Sequence, residues 1–424
     1  MLVLFLGSLF FLLFLGVPVA ISMILSASLM LIKLDMFDVQ LITENFVMGT
    51  NNFPLMAIPF FMLTGEIMKY GGISERIINF AMSMVGHIKG GLGYVAIISG
   101  LIFAGLSGSA VADTAALGAI LIPMMVARKY DPARSTGLIC AAGIISVVIP
   151  PSIPMIIYGI TAGASITKLF MGGVIPGLFM VVGLWIIWRA LYRNEENSTF
   201  EKQTAQQRWQ AFKQAFLPLL LPAIIIVGLR GGIFTPTEAG VVAAIYAAGV
   251  SLYYRSLPFD KIVEVFINTI KTTAMVMFVA AAAMVSGFAV TVAQIPMELV
   301  EFIKGITDNP TILMLVIMIF LLLIGCVMDL IPAVLIFVPV LLPLLRAYHI
   351  DVAYFGVMMV INLSIGLITP PVGTVLYVGS GVSKVGIGKL SKGIAPFLAV
   401  YFVILILLAI FPQIVITPMN WLSQ

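Results

Sequence analysis

Apolar residues run along this 424-residue chain in long blocks separated by short polar connectors. A hydrocarbon core about 30 Å thick needs roughly 20 apolar residues per helix, so the blocks read as membrane spans. The pattern predicts them near 2–32, 53–68, 92–106, 115–127, 136–158, 169–192, 215–229, 236–254, 272–293, 311–345 (a hairpin or two spans), 352–368, 371–382 and 394–418. The first block carries no charge before Lys33 and so lacks the basic n-region of a secretory signal; it is expected to stay as the first span. One polar stretch, "RALYRNEENSTFEKQTAQQRWQAFKQAF" (Arg189–Phe216), divides the chain into halves. Its Arg189, Arg193, Lys202, Arg208 and Lys213 outnumber Glu195, Glu196 and Glu201. It reads as a solvated linker with an amphipathic helix, on the cytoplasmic side because basic loops tend to stay inside.

The halves repeat. With an offset of 220 residues, windows 105–176 and 325–396 each hold six prolines. Four coincide, Pro123 with Pro343, Pro150 with Pro370, Pro151 with Pro371 and Pro176 with Pro396, where chance gives about half a coincidence. Gly105, Gly159 and Gly173 match Gly325, Gly379 and Gly393. Internal repeats mark secondary transporters, although the sequence does not say whether these are inverted. Each repeat places two prolines inside an apolar run, "ISVVIPPSIPMIIYG" at 145–159 and "LSIGLITPPVGTVLYVG" at 363–379. Proline removes a backbone donor and clashes with the preceding turn, so both runs are expected to be broken helices. Broken backbone survives at membrane depth where it lines a cavity, and there its carbonyls and helix ends can hold ions.

Composition sharpens this picture. The chain is 61% hydrophobic and 9% charged, against roughly 25% charged in soluble domains, which makes it a polytopic all-α integral membrane protein. A net charge of +4 fits basic cytoplasmic loops and gives no reason to expect nucleic-acid binding. Cys140 and Cys326 suit neither a disulfide framework nor a metal site, and His87 and His349 fall in polar connectors. No HExxH or GxxxxGK[ST] motif is present, so the energy must come from a gradient or a partner. The Gly-x-Ser-Gly shape at Gly105–Gly108 lacks the intramembrane histidine that serine catalysis would need; the chain is not expected to be an enzyme, nor to use an organic cofactor.

The candidate chemistry lies in small polar residues. "GLSGSAVADTAALGA" (105–119) precedes the first break, and "GCVMDLIPA" (325–333) stands at the same offset before the second. Ser107, Ser109, Asp113 and Asp329 offer the hard oxygens that a cation such as Na⁺ prefers, and intramembrane carboxylates are costly enough to be functional as a rule. The repeat is chemically asymmetric: Asp329 aligns with Ser109, and Asp113 with Ala333. Glu66 and Glu238 fit either a membrane interface or a helix cap. A cation/proton exchanger or channel that works without a binding protein fits the paired breaks as an alternative to a transporter.

Several long motifs in order, "NNFPLMAIPFFMLTGEIMKYGGIS", "GHIKGGLGYVAIISGLIFAGLSGSAVADTAALGAILIPMM", "IPPSIPMIIYG", "GGIFTPTEAGVVAAIYA" and "LITPPVGTVLYV", resemble the large membrane subunit of tripartite ATP-independent periplasmic (TRAP) transporters, over about residues 5–418. The resemblance implies a Na⁺-driven importer of an organic acid, such as sialic acid or a C4-dicarboxylate, in the bacterial inner membrane. It implies two partners, a small membrane subunit and a periplasmic binding protein. It implies an elevator-type fold with two re-entrant hairpins and two broken helices: scaffold helices at 1–90, a first transport repeat at 91–188, the linker and further scaffold at 189–310, and a second transport repeat with the C-terminal helix at 311–424. By the same resemblance one Na⁺ lies among Ser107, Ser109, Val148 and Pro150, a second among Gly325, Asp329, Gly366, Thr369 and Thr374, and the substrate carboxylate near Asp113, Pro151, Ser152 and Pro371. Neither break carries an Arg, so helix N-termini and Na⁺ are expected to supply the positive field.

Overall fold

The computed structural model describes residues 1–193 and 200–423; Glu195 and Glu196 of the linker lie outside them. Among the described residues every regular element is a helix. The first half contains α1 (Leu2–Phe14), α2 (Val19–Lys33), α3 (Val39–Met48), α4 (Ala57–Tyr70), α5 (Ile73–Val85), α6 (Gly91–Ala104), α7 (Ala110–Ala127), α8 (Pro132–Gly143), α9 (Ile153–Ala162) and α10 (Ile166–Tyr192). The second contains α11 (Ala205–Arg230), α12 (Pro236–Tyr253), α13 (Phe259–Val292), α14 (Ile295–Lys304), α15 (Pro310–Gly325), α16 (Leu330–Ala347), α17 (Val352–Gly366), α18 (Thr374–Ser383), α19 (Ile387–Ile410) and α20 (Gln413–Leu422). Among them α7, α10, α11, α13, α16 and α19 are each long and apolar enough to cross a bilayer. Large apolar side chains such as Ile186, Val227, Ile270 and Leu323 point outward, as they must where the surrounding solvent is lipid.

The 220-residue repeat extends well beyond the proline windows. Shifted by that offset, α7 becomes 330–347, the bounds of α16, and α8 begins at 352 with α17. α6, α9 and α10 shift to within two residues of α15, α18 and α19. The bent pair α3–α4, kinked by 58°, shifts onto the continuous α13. The halves run in opposite senses. A Cβ at Gly183 of α10 would lie 2.6 Å from Val400 and 2.9 Å from Ile404, whereas Trp188, further along α10, has its ring centroid 6.3 Å from that of Phe397. As α10 advances α19 retreats, and since these two helices are repeat mates, the repeat is inverted. Packing is correspondingly reciprocal: α9 lies on α16 while α18 lies on α7, α4 on α12 while α13 on α2, and α8 on α19 while α10 on α17.

Several expected spans differ in detail, each for a local reason. The block 2–32 is two helices packed on each other, because Gly16 takes a left-handed φ of +83° and Pro18 follows it. The block 136–158 stops at the first proline break and restarts at Ile153. α13 starts well before residue 272, at Phe259. The amphipathic segment of the linker is no separate helix: Thr204 and Gln207 form a capping box, and Arg208 and Lys213 ride on the first turns of α11, which continues into an apolar span.

Candidate transport site

Two helical hairpins, α6–α7 and α15–α16, fold back at the small residues that the sequence singles out. Each tip meets the proline break of its own half. At the first tip Gly108 takes a φ of +62°, and a Cβ there would come within 2.8 Å of the Pro151 carbonyl oxygen, so only glycine permits this approach. At the second, a Cβ on Gly366 would lie 2.6 Å from the Gly325 backbone, and the Gly373 N–H donates to the Cys326 carbonyl at 3.2 Å. Both Pro150–Pro151 and Pro370–Pro371 are cis peptides.

The first cluster is a carboxylate held by a hydroxyl. Ser107 Oγ donates to Asp113 Oδ1 at 2.6 Å, and the Ser109 N–H donates to Ser107 Oγ at 3.2 Å. Asp113 is only 2% exposed, and its Oδ2 has no hydrogen-bond partner. Asp113 sits in the first turn of α7, where the helix dipole favours a negative charge. Ser109 is the N-cap of α7, accepting from Ala112 N at 3.4 Å. Ser152 is engaged within the break: it donates to the Val147 carbonyl and, as N-cap of α9, accepts from Met155 N. The carbonyl of Val148 faces α10, where a Cβ at Gly173 would fall 2.1 Å from it.

In the second cluster the Thr369 N–H donates to Gly366 O at 2.9 Å, and its hydroxyl donates back to Ile365 O at 2.7 Å. Thr374, at the start of α18, has a buried hydroxyl oxygen with no partner. Asp329 is exposed and is the N-cap of α16, accepting from Leu330 N at 2.9 Å. Ser109 and Asp329, aligned by the repeat, therefore both act as hairpin caps. Pro371 is exposed, whereas Pro151 is buried. The structure thus gathers Ser107, Ser109, Asp113 and the 150–152 break on one side, and Gly325, Gly366, Thr369 and Thr374 on the other. α18 links the two groups, since it starts in the second break and packs on α7 and α8, with Cys140 Sγ 3.6 Å from the Val375 carbonyl.

What faces the first cluster is set by packing between distant helices and is not legible in the sequence. A cleft of about 350 Å³ separates the first hairpin from α4 and α13; Ser107, Ser109 and Asp113 line one side, and Glu66, Lys69, Thr269 and Thr272 the other. Glu66 lies in mid-helix and caps nothing; it is 3.6 Å from Lys69 Nζ, and Asn268 Nδ2 donates to it at 3.3 Å. Its signal was available, a carboxylate set in an apolar run. Lys69 places a positive charge in the cleft that the absence of Arg at the breaks did not suggest. Glu238, in contrast, is a cap, closing the Thr235 box of α12, as the spacing T-x-x-E indicates.

The family model for the tripartite ATP-independent periplasmic transporter, DctM component, matches residues 6–414. The chain belongs to this family. Among relatives of this DctM component, a putative TRAP transporter large permease protein of Haemophilus influenzae is 82% identical over 95% of this chain and all of its own length. The 2,3-diketo-L-gulonate TRAP transporter large permease protein YiaN of Escherichia coli is 46% identical over 99% of each chain. The sialic acid TRAP transporter large permease protein SiaM of Vibrio cholerae is 40% identical over 95% of this chain and 94% of its own. The crystal structure of the Alcanivorax borkumensis YdaH transporter has a similar fold, with a TM-score of 0.62 at 14% identity, covering 88% of this chain and 87% of that one. The chain is a large TRAP permease, a multi-pass membrane protein of the helical transporter class.

Proposed function

We propose that this permease carries an organic acid across the bacterial inner membrane, coupled to Na⁺ and moved by an elevator motion, in concert with a small membrane subunit and a periplasmic binding protein. The observation that carries the proposal is the seating of each hairpin tip on the proline break of its own half. Two broken helices supply free carbonyls and the N-termini of α9 and α18, and the tips supply hydroxyls and carboxylates. Asp113 Oδ2 and the Thr374 hydroxyl are buried groups with binding capacity left over; burial without a partner is costly, and a bound cation removes that cost. One Na⁺ is assigned to Ser107 and Ser109 with the break around Val148 and Pro150. Asp113, expected from the resemblance beside the substrate, is assigned to this Na⁺ instead because its carboxylate is bonded to Ser107. A second Na⁺ is assigned to Gly325, Asp329, Gly366, Thr369 and Thr374. The substrate carboxylate then lies between them by Pro151, Ser152 and Pro371, where helix N-termini favour an anion.

An acid as substrate draws support from the names of YiaN and SiaM, whose substrates share a carboxylate. The partners draw support from the family description, which is tripartite and periplasmic. The elevator draws support from the loosely filled seam between hairpin and scaffold.

The test is uptake by proteoliposomes holding the chain with its small subunit. They are offered radiolabelled diketogulonate, sialic acid and succinate, with and without a binding protein and an inward Na⁺ gradient. Uptake of one acid that needs both additions is expected. Ion flux without acid or binding protein would replace the proposal with an exchanger or channel.

A further inference from the structure

The inverted repeat provides an internal control for surface chemistry where a cavity in one half has a mate in the other. One such pair stands apart. At the end of α10 a cavity of about 270 Å³ is lined by Ile88, Lys89, Tyr94, Trp185, Arg189, Tyr192 and Arg193, with no acidic side chain among them. Its mate, about 190 Å³, includes Met314, Ala409 and Pro412, which the 220-residue offset equates with Tyr94, Arg189 and Tyr192. Across the offset Lys89 becomes Asn309, Arg189 becomes Ala409 and Arg193 becomes Gln413. The fold repeats the hollow, but only the first copy is lined by Lys and Arg; the second has His349 and Asp351 in its wall. Because α10 and α19 run antiparallel, the two cavities open at opposite ends of the molecule.

The basic cavity has the features of a headgroup site at a bilayer surface. It lies where the span α10 ends. Tyr94 and Trp185 form its wall, with ring centroids 4.3 Å apart, and Trp188 and Tyr192 stack at 3.9 Å behind it. Trp188 Nε1 donates to Gly90 O at 2.8 Å, which fixes the 86–90 loop and therefore Lys89 beside the end of α10. Interfacial aromatic rings with Lys and Arg at a helix end are the pattern that recognises anionic lipid, and the guanidinium fork of Arg matches phosphate oxygens. We infer that the Lys89–Arg189–Arg193 cavity binds the phosphate-bearing headgroup of an anionic phospholipid of the leaflet that faces the 189–216 linker.

This inference does not depend on the substrate or coupling ion, and binding alone tests it. The full-length protein in detergent is titrated with phosphatidylglycerol, phosphatidylethanolamine and inorganic phosphate, and bound molecules are counted by native mass spectrometry. Tighter retention of phosphatidylglycerol than of phosphatidylethanolamine is expected. It should weaken roughly fivefold for each cation removed in Lys89→Gln, Arg189→Gln and Arg193→Gln, and stay unchanged in the mate-cavity variant His349→Gln. If a combined variant fails to fold, the three single variants carry the comparison. Equal retention by wild type and single variants, or phosphate binding that displaces the lipid, would overturn the assignment.

Discussion

At the scale of single residues, the most exposed chemical commitment is Asp113. A buried carboxylate with one oxygen bound to Ser107 and the other unpartnered needs a counter-charge, and the proposed Na⁺ supplies it. Asp113→Asn keeps the shape, retains an acceptor for Ser107 and removes the charge. Hydrogen bonds and contacts to charged groups contribute about 1.5–3 kcal/mol, so the half-saturating Na⁺ concentration for uptake is expected to rise roughly tenfold or more, with the protein still extracted as a single species. An unchanged Na⁺ dependence would remove Asp113 from the site. Asp329 separates two roles that one carboxylate can hold. It caps α16, and Asn caps a helix about as well as Asp, so Asp329→Asn should leave thermal stability alone. A fall in uptake would then report on charge at the tip, and wild-type uptake would leave Asp329 as a cap only.

At the scale of elements, the decisive contact is backbone against backbone. A Cβ at Gly366 would sit 2.6 Å from Gly325 Cα and carbonyl carbon, neither of which can turn aside. Gly366→Ala is expected to unseat the second hairpin tip, at a cost of roughly 1–3 kcal/mol, and to abolish uptake. Gly388→Ala in open space should do neither, and equal melting temperatures for the two variants would refute this account of the seat. Such elements were legible in the sequence where they rest on local chemistry. The double prolines break their helices and matching prolines expose the repeat, whereas Ser109 and Asp329, expected only as oxygen donors, turn out also to cap α7 and α16. The break between α1 and α2 was lost because Gly16 and Pro18 lie in an apolar run whose hydropathy does not dip. The 58° bend between α3 and α4, matched by the continuous α13, shows that the repeat tolerates either form. Glu66 and Lys69 could be seen as charges, but their facing Asp113 depends on α4 packing beside a hairpin some 40 residues away in the chain, and no local pattern encodes that.

At the scale of the whole molecule, inversion of the halves gives the hairpins opposite senses and leaves a loosely filled seam on the scaffold side. The cleft of about 350 Å³ between the first hairpin and α4 and α13 has a partner of about 430 Å³, in which Gly49, Asn52, Phe288 and Leu335 stand where the offset puts Thr269, Thr272, Met68 and Ala115. Equivalent spaces on both halves suit a body that slides past a fixed scaffold, because packed interfaces resist shear unless voids leave room for side chains to change partners. Ala116 on α7 and Thr272 on α13 line the same cleft from the two sides. The native thiols of Cys140 and Cys326 are buried, so introduced thiols are the ones a short bifunctional reagent will find. In Ala116→Cys/Thr272→Cys, cross-linking is expected to reduce uptake about tenfold or more while leaving binding of the acid measurable, since tethering blocks the motion and spares the site. Each single variant treated alike should transport normally, and a reducible linker should restore the double variant on cleavage. Full uptake with the tether in place would mean that the hairpin and scaffold stay together during transport, and the motion would have to be sought within the hairpins themselves.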